Sequence, residues 1–220
     1  MKKEFSTVPE KMTESRPGEF KSFSWQELAT GIPTPMFLVT GWKDNGKENA
    51  CLQQYSTFVT DSGEFICIMA WVSKKGHMYK SLKETGCCVL NFPSGELLDQ
   101  CFETVRNNQY ETDEITASGF TAEKAVAVNA PRIAECFLNI ECEFLWEQQN
   151  FENSGRAVVA VKAVHVCMDS ERYDQSKLGR YGKTGYVYNI YNSQNPDTGK
   201  WDWGNEDDDE GYFVVERSKK

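Results

Sequence analysis

Phe65-Ile-Cys-Ile-Met-Ala-Trp-Val72, then Ser73-Lys-Lys-Gly-His-Met-Tyr-Lys-Ser-Leu-Lys-Glu-Thr-Gly86, then Cys87-Cys-Val-Leu-Asn-Phe-Pro93 run on without a break. The two outer pieces are nearly continuous apolar runs of strand length, rich in β-branched and aromatic residues, and predict two buried strands. Between them Tyr79, Leu82 and Lys83 fall at helical spacing, and Gly86 stands where a helix ends on a left-handed residue. The loop entering that helix carries Ser73, Lys74, Lys75 and His77. Unpaired N–H groups and the positive dipole end of a helix suit an anion such as phosphate, and a basic loop there suits it further. The same two lysines also read as ordinary solvated charge.

The surrounding composition narrows the choice. At 220 residues and 25.1 kDa, with 13% aromatic residues and six tryptophans, the chain can bury one substantial core. A formal net charge of −9 and a pI near 4.9 set a bulk field against nucleic acid and anionic membrane. Any phosphate held by this chain needs local basic groups working against that field, which gives the Lys74-Lys75 pair more weight. No stretch is long enough to span a membrane, and Met1–Pro9 lacks the apolar core of a signal peptide, so the expectation is a cytoplasmic protein. Cysteines stand at 51, 67, 87, 88, 101, 136, 142 and 167, none as C-x-x-C and several inside apolar runs, which reads as free thiols without ruling on disulfides. His77 and His165 have no carboxylate spacing around them that forms a metal set, and no metal is expected.

Outward from the central stretch, residues 1–23 read as a polar arm and Ser24–Ala29 as a short capped helix, with residues 24–220 forming a single domain. A strand over Met36–Trp42 turns at Asp44-Asn45-Gly46, an Asn-Gly hairpin signal because both residues tolerate positive φ. The returning segment Glu48–Thr57 is strand-like but polar, with Asn49, Gln53, Gln54, Ser56 and Thr57. It is either an exposed edge or a wall facing a ligand. Leu97, Leu98, Cys101, Phe102 and Val105 share one face of a second helix reaching Arg106, and residues 107–133 have no clean periodicity. Leu138, Ile140, Cys142 and Phe144 alternate with Phe137, Asn139, Glu141 and Glu143, and Ala157–Met168 returns after a turn near Asn150–Gly155 as a long hairpin. Strands dominate and no βα alternation repeats, so the predicted class is a mainly β, antiparallel barrel with short helical insertions. An extension over about 171–220 closes the chain. Its Tyr181, Tyr186, Tyr188, Tyr191, Trp201 and Trp203 read as core filler or subunit contact, and Glu206–Glu210 as a solvated acidic loop.

Taken in order, several pieces resemble the flavin reductase-like family of FMN-binding split barrels, the group that includes flavoredoxin. They are Pro33–Thr40 with its Thr-Pro-Met-Phe-Leu-Val-Thr run, Asn49-Ala50, the apolar strand before Ser73, the helix into Thr85-Gly86, and Val89-Leu90-Asn91-Phe92-Pro93. Gly119-Phe120-Thr121, Glu135-Cys136, Glu141-Cys142 and Val158–Val166 ending near Asp169 follow, so the likeness covers roughly residues 30–170.

The resemblance implies a Greek-key split barrel, a homodimer with FMN near its interface, and electron transfer between NADH or NADPH, flavin and a small-molecule or protein acceptor. The flavin itself carries the chemistry, so no catalytic side chain is expected. Carried over by position, Asn49, Ala50, Cys51, Gln53, Tyr55, Ser56 and Thr57 line the ring and ribityl chain. Ser73, Lys74, Lys75 and His77 receive the phosphate, and Asn91 lies beside the pocket. Two departures stand out: Met78 occupies a position where the family often has threonine, and Asn107–Ala117 lacks the usual glycine- and lysine-containing loop. Alternatives are a flavoredoxin-type electron carrier without efficient NAD(P)H turnover, or a flavin-free interaction module. Cys51 reads as an inert thiol sooner than a reactive one.

Overall fold

The computed structural model describes residues 1, 2, 4, 6, 32–173, 186–190 and 212–215. The expected helix at Ser24–Ala29, most of the arm, Tyr181, Tyr191, Trp201, Trp203 and the acidic run Glu206–Glu210 lie outside these residues. Two compact units are formed, Met1–Pro33 with Asn189–Tyr212, and Thr34–Tyr188 with Phe213–Lys220. The second holds the barrel.

In chain order the elements are β1 (Pro33–Pro35), β2 (Phe37–Trp42), β3 (Glu48–Gln53), β4 (Ser56–Asp61), β5 (Glu64–Ser73), α1 (His77–Thr85), β6 (Cys87–Phe92) and α2 (Leu98–Arg106). Then come α3 (Glu114–Ala117), β7 (Ala122–Lys124), β8 (Pro131–Ile133), β9 (Leu138–Gln149), β10 (Arg156–Met168), α4 (Ser170–Tyr173), β11 (Tyr186–Ile190) and β12 (Tyr212–Val215). A seven-stranded sheet runs in the order β3-β2-β6-β9-β10-β5-β4, and each of its pairings is antiparallel. Its two outermost strands, β3 and β4, are joined by Gln54 and Tyr55 alone, so the sheet curls round to meet itself.

Period-two patterning decides what the barrel encloses. Cys88, Leu90 and Phe92 of β6 face a core shared with Phe37, Val39, Cys67, Met69, Val159 and Val161. The alternate residues Cys87 and Val89 face outward and are covered by Ala125 and Ala130. The first half of β9 is therefore buried on both faces: Leu138 through Cys142 are all buried, polar Asn139 and Glu141 included. α1 closes one end of the barrel with Met78 and Leu82 in the core, and ends at Gly86 (φ 70°), whose N–H bonds the Leu82 carbonyl at 3.0 Å. Val159 and Val161, each 0% exposed, contribute about 1.5–3 kcal/mol apiece by burial.

Four sequence expectations change. The polar segment 48–57 is not one strand: Tyr55 takes φ 41°, and the chain leaves β3 for β4 on the far edge of the sheet. The turn at 44–46 is a hairpin, but only Gly46 has positive φ (78°). Lys43 and Lys47 pair across a three-residue loop (Lys43 N–H to Lys47 O, 2.9 Å), and the Asn45 amide donates to Tyr110 O at 3.0 Å instead of shaping a two-residue turn. Val105 is 46% exposed, because α2 buries Cys101, Phe102 and Thr104. Within 107–133 the aperiodic sequence contains α3 and the β7–β8 hairpin. Of the late aromatics, Tyr186 is core filler, its ring set edge-on to Phe137 at 5.0 Å and to Phe92 at 5.8 Å. Among the described residues no helix is long and apolar enough to cross a membrane.

Candidate functional site

Asn49, Cys51 and Gln53 lie on one face of β3, opposite Gly41, Val39 and Phe37 of β2. Glycine at 41 lets α1 pack down on that face, since a Cβ there would stand 3.2 Å from the Ser81 Cβ. Asn49 is 1% exposed, and among the described residues its Nδ2 has no partner. A buried amide N–H₂ left without an acceptor is costly in a finished core and marks a place where another group is received.

The N-terminus of α1 has the same character. Gly76 caps it in an extended conformation (φ −75°, ψ 154°), no side chain among the described residues caps its free N–H groups, and no acidic residue occupies its first turn. The loop before it is pinned by Gly76 N–H to Ser73 O (3.0 Å) and Lys74 N–H to Gly155 O (3.0 Å). Ser73 and Lys74 are half-buried and Lys75 is exposed. Free N–H donors, a positive dipole end and two lysines fit an anion without further arrangement. Met78 points away into the core. With no hydroxyl at 78, the potential donors at this end are the backbone N–H groups, Ser73, Lys74, Lys75 and His77.

At the other end of β3 two bulky residues hold positive φ, Tyr55 (41°) and Trp71 (71°). Trp71 sits where the β5–β10 register slips between Ala157 and Val159, which turns its side chain outward, 46% exposed. Its ring meets Tyr55 edge-on at 5.7 Å and carries the Arg156 guanidinium 4.2 Å above it. Residues at φ > 0 with large side chains are strained, and such strain persists where the surroundings enforce it. Between the two ends Cys51 is half-buried; burial pushes its thiol up to about 12, Glu114 adds to that, and Arg156 opposes it. Burial thus holds Cys51 in its neutral thiol form.

The remaining sequence candidates divide. Ala50 uses its N–H on Glu114 Oε2 (2.9 Å). The Gln53 amide donates to Gln54 O (2.6 Å) and Ala70 O (3.4 Å), and the Ser56 hydroxyl to Gln54 O (2.8 Å), so both shape the β3–β4 link. Thr57 is exposed on β4, on the face opposite core-packed Phe58. Asn91 is 0% exposed on the outward face of β6. Its Nδ2 reaches Leu38 O (3.2 Å), Val89 O (3.1 Å) and Thr40 Oγ1 (3.0 Å), and its Oδ1 accepts from Ile133 N–H (3.0 Å) and Asn139 Nδ2 (2.9 Å). Every valence is spent on the scaffold, and none is left for a ligand.

Four residues join the site that periodicity does not reveal: Lys43, Glu114, Trp71 and Arg156. Glu114 is 1% exposed and gathers Lys43 Nζ (2.7 Å), His77 Nδ1 (3.2 Å) and the Ala50 N–H. Trp71 lies inside an apolar run that signals core, and Arg156 opens an apolar strand; only the bulge sets them together. Asn49, the α1 N-terminus and the Arg156–Trp71 pair fit a planar, phosphorylated group such as a flavin mononucleotide.

Known proteins agree on the architecture. Nitrilotriacetate monooxygenase component B from Bacillus cereus superposes with a TM-score of 0.72 at 16% identity, covering 92% of this chain and 99% of its own. Flavoredoxin of Desulfovibrio vulgaris (Miyazaki F) gives 0.68 at 16% identity over 90% and 96%. An uncharacterised protein of Methanothermobacter thermautotrophicus is 22% identical over 145 residues, 65% of this chain and 67% of its own. The antiparallel barrel is thus the split barrel of those structures. The sequence pattern of the family described as flavin reductase like domain matches residues 29–184, and the chain belongs to that family.

Proposed function

We propose that this protein is an FMN-binding oxidoreductase of the flavin reductase type, moving electrons from NADH or NADPH through the flavin to a small-molecule or protein acceptor. The observation that carries this is the orphaned Asn49 Nδ2, buried on β3 beneath a helix whose N-terminus is uncapped and flanked by Lys74 and Lys75. Bound FMN supplies reversible hydride and electron transfer. The chain's own residues bind and orient. The α1 N–H groups, Ser73, Lys74, Lys75 and His77 hold the phosphate; Asn49 Nδ2 donates to a ring or ribityl oxygen; Arg156 brings positive charge to the β3 edge. That charge favours an anionic reduced ring over a neutral one. The reading includes a homodimer: Leu145, Trp146, Val164 and Val166 of β9 and β10 are each at least 40% exposed and suit a second copy. All eight cysteines carry free thiols, which suits a reducing compartment such as the cytoplasm.

The test is purification, a visible spectrum, light scattering, and anaerobic titration with NADH and NADPH. Bound flavin on a dimer, bleached rapidly by one nucleotide, is the expected result. Bound flavin that neither nucleotide bleaches makes the protein an electron carrier fed by another protein, and no flavin affinity at all defeats the reading. In the same assay Lys74→Ala with Lys75→Ala is expected to weaken FMN about tenfold, since charge-assisted contacts are worth about 1.5–3 kcal/mol before exposure discounts them. Riboflavin, which has no phosphate, is expected to bind both forms alike.

A further inference from the structure

The Trp71–Arg156 pair is held more firmly than a surface contact needs to be. Trp71 takes φ 71° and Tyr55 φ 41°, and the two stretches are locked together by the Ala70 N–H on Tyr55 O (2.8 Å). Strain of this kind in bulky residues persists only where the surroundings impose it, and it collects at sites that receive a ligand. Arg156 is fixed from the other side. Its N–H donates to Ser154 Oγ (3.1 Å), and Gly155 before it accepts from the Lys74 N–H (3.0 Å). The guanidinium lies 4.2 Å above the indole, and its one side-chain hydrogen bond to the described residues, from Nη1 to Trp71 O, is long at 3.5 Å. No carboxylate among the described residues forms an ion pair with it, in a chain of 33 acidic and 24 basic side chains. A guanidinium presents its donors as a planar fork that matches two oxygens of one anion. Beside it the indole is 46% exposed and offers a flat apolar surface.

We propose that Trp71 and Arg156 form a binding site for a small aromatic monocarboxylate, whose two oxygens Arg156 holds while its ring lies against Trp71. The proposal rests on reading β3 as the flavin wall, and it makes this acid the small-molecule partner that meets the flavin. Two contacts set the pair beside that wall. Tyr55, edge-on to Trp71 at 5.7 Å, belongs to the β3–β4 link, and the charge of Arg156 is felt by the Cys51 thiol of β3. Charge selects a carboxylate over a nucleotide. One guanidinium offsets one negative charge, and a net charge of −9 opposes every further one that a pyrophosphate brings.

The test titrates the FMN-loaded protein with benzoate and follows the indole N–H resonance of Trp71, one of six tryptophans, assigned with Trp71→Phe. A saturable shift is expected. Cyclohexanecarboxylate keeps the charge without the aromatic ring and benzamide keeps the ring without the charge, and each is expected to bind at least about tenfold more weakly. Arg156→Gln is expected to weaken benzoate about tenfold and Arg156→Lys nearly as much, because an ammonium keeps the charge and loses the fork. The comparison of ligands is made on the wild-type chain, so it decides the matter even where a variant folds poorly. No shift at Trp71, or equal binding of all three compounds, overturns the proposal. Release of FMN by benzoate, seen as loss of the bound-flavin spectrum, overturns it too and gives the pair to the flavin itself. A chain that takes up no flavin but still binds benzoate at Trp71 upholds the acid site and defeats the reading of β3.

Discussion

Glu114 and Glu141 are equally buried, 1% and 0% exposed, and each anchors a segment that wraps the barrel, yet they differ in what they touch. Glu141 accepts from the N–H groups of Val126 (2.9 Å) and Ala127 (2.6 Å), with Arg132 Nη1 at 3.7 Å, all from the one segment that covers β6. Its partners all come from one stretch of chain, and it acts as a staple. Glu114 ties the 107–117 segment to the turn before β3 through Lys43, and to α1 through a ring that is partly open to solvent. The same buried carboxylate holds a single covering segment in the first case and joins three parts of the fold in the second. Partners from one segment make a clamp, and partners from several make a junction.

Removing each carboxylate separates the two cases. Glu114→Ala leaves the Lys43 ammonium buried without its counter-charge, and about 3–5 kcal/mol of unfolding free energy is expected to be lost in urea titration. A loss below about 1 kcal/mol would mean that the Gln109, Tyr110 and Thr112 carbonyls alone satisfy Lys43, and the contrast with Glu141 would dissolve. Glu141→Gln weakens bonds to backbone N–H groups and is expected to cost about 1–3 kcal/mol. Faster hydrogen exchange at Val126 and Ala127 should accompany it, with the ratio of FMN to riboflavin affinity unchanged. A shift in that ratio would show that the 125–133 cover also acts on the site.

How far the sequence carried the fold depends on the range of the forces involved. The β9–β10 hairpin was legible because its alternation is local, and α1 because Gly86 marks its end. The break at Tyr55 was not, since a bulky residue at positive φ leaves no compositional trace; it is imposed by the Ala70 N–H bonding Tyr55 O at 2.8 Å. Asn91 looked like a pocket residue within a conspicuous motif. Its face of β6 turns out to be the one covered by 125–133, a packing fact that period two alone cannot assign to inside or outside. Lys43 and Glu114 gave no signal because their meaning is their contact, across a separation that no window of pattern spans. The basic loop was legible as chemistry, and its His77 was visible without the carboxylate that orients it.

The smallest effect is expected beside the cluster, at the surface. Asp113 bonds Lys47 Nζ (2.8 Å) and the Glu48 N–H (3.1 Å), and the Lys47 contact first, then Glu48, holds its carboxyl below the ordinary value. A depressed folded-state pKa gives stability that is present above the unfolded value of about 3.9 and lost as pH falls through the folded one. Both side chains are about 40% exposed, so Asp113→Asn should cost no more than about 1 kcal/mol at pH 7. Unfolding curves of variant and wild type should converge once the pH has fallen below the folded-state value of Asp113. A cost comparable to Glu114→Ala would place the whole 107–117 segment, and not one carboxylate, at the root of the contrast.

The two-residue link between β3 and β4 has a consequence for how the chain folds. These strands are neighbours in sequence but stand at opposite edges of a sheet whose interior is β2, β6, β9, β10 and β5, drawn from residues 37 to 168. Because Gln54 and Tyr55 already join them, the barrel closes where distant segments pair, with Arg156–Lys162 of β10 set against Ile66–Ser73 of β5, a high-contact-order event. The entropy of bringing β10 home is spent at that step. The β3–β4 corner is carried into the closed barrel on local pairings, and a ligand that binds only the closed form stabilises that closure.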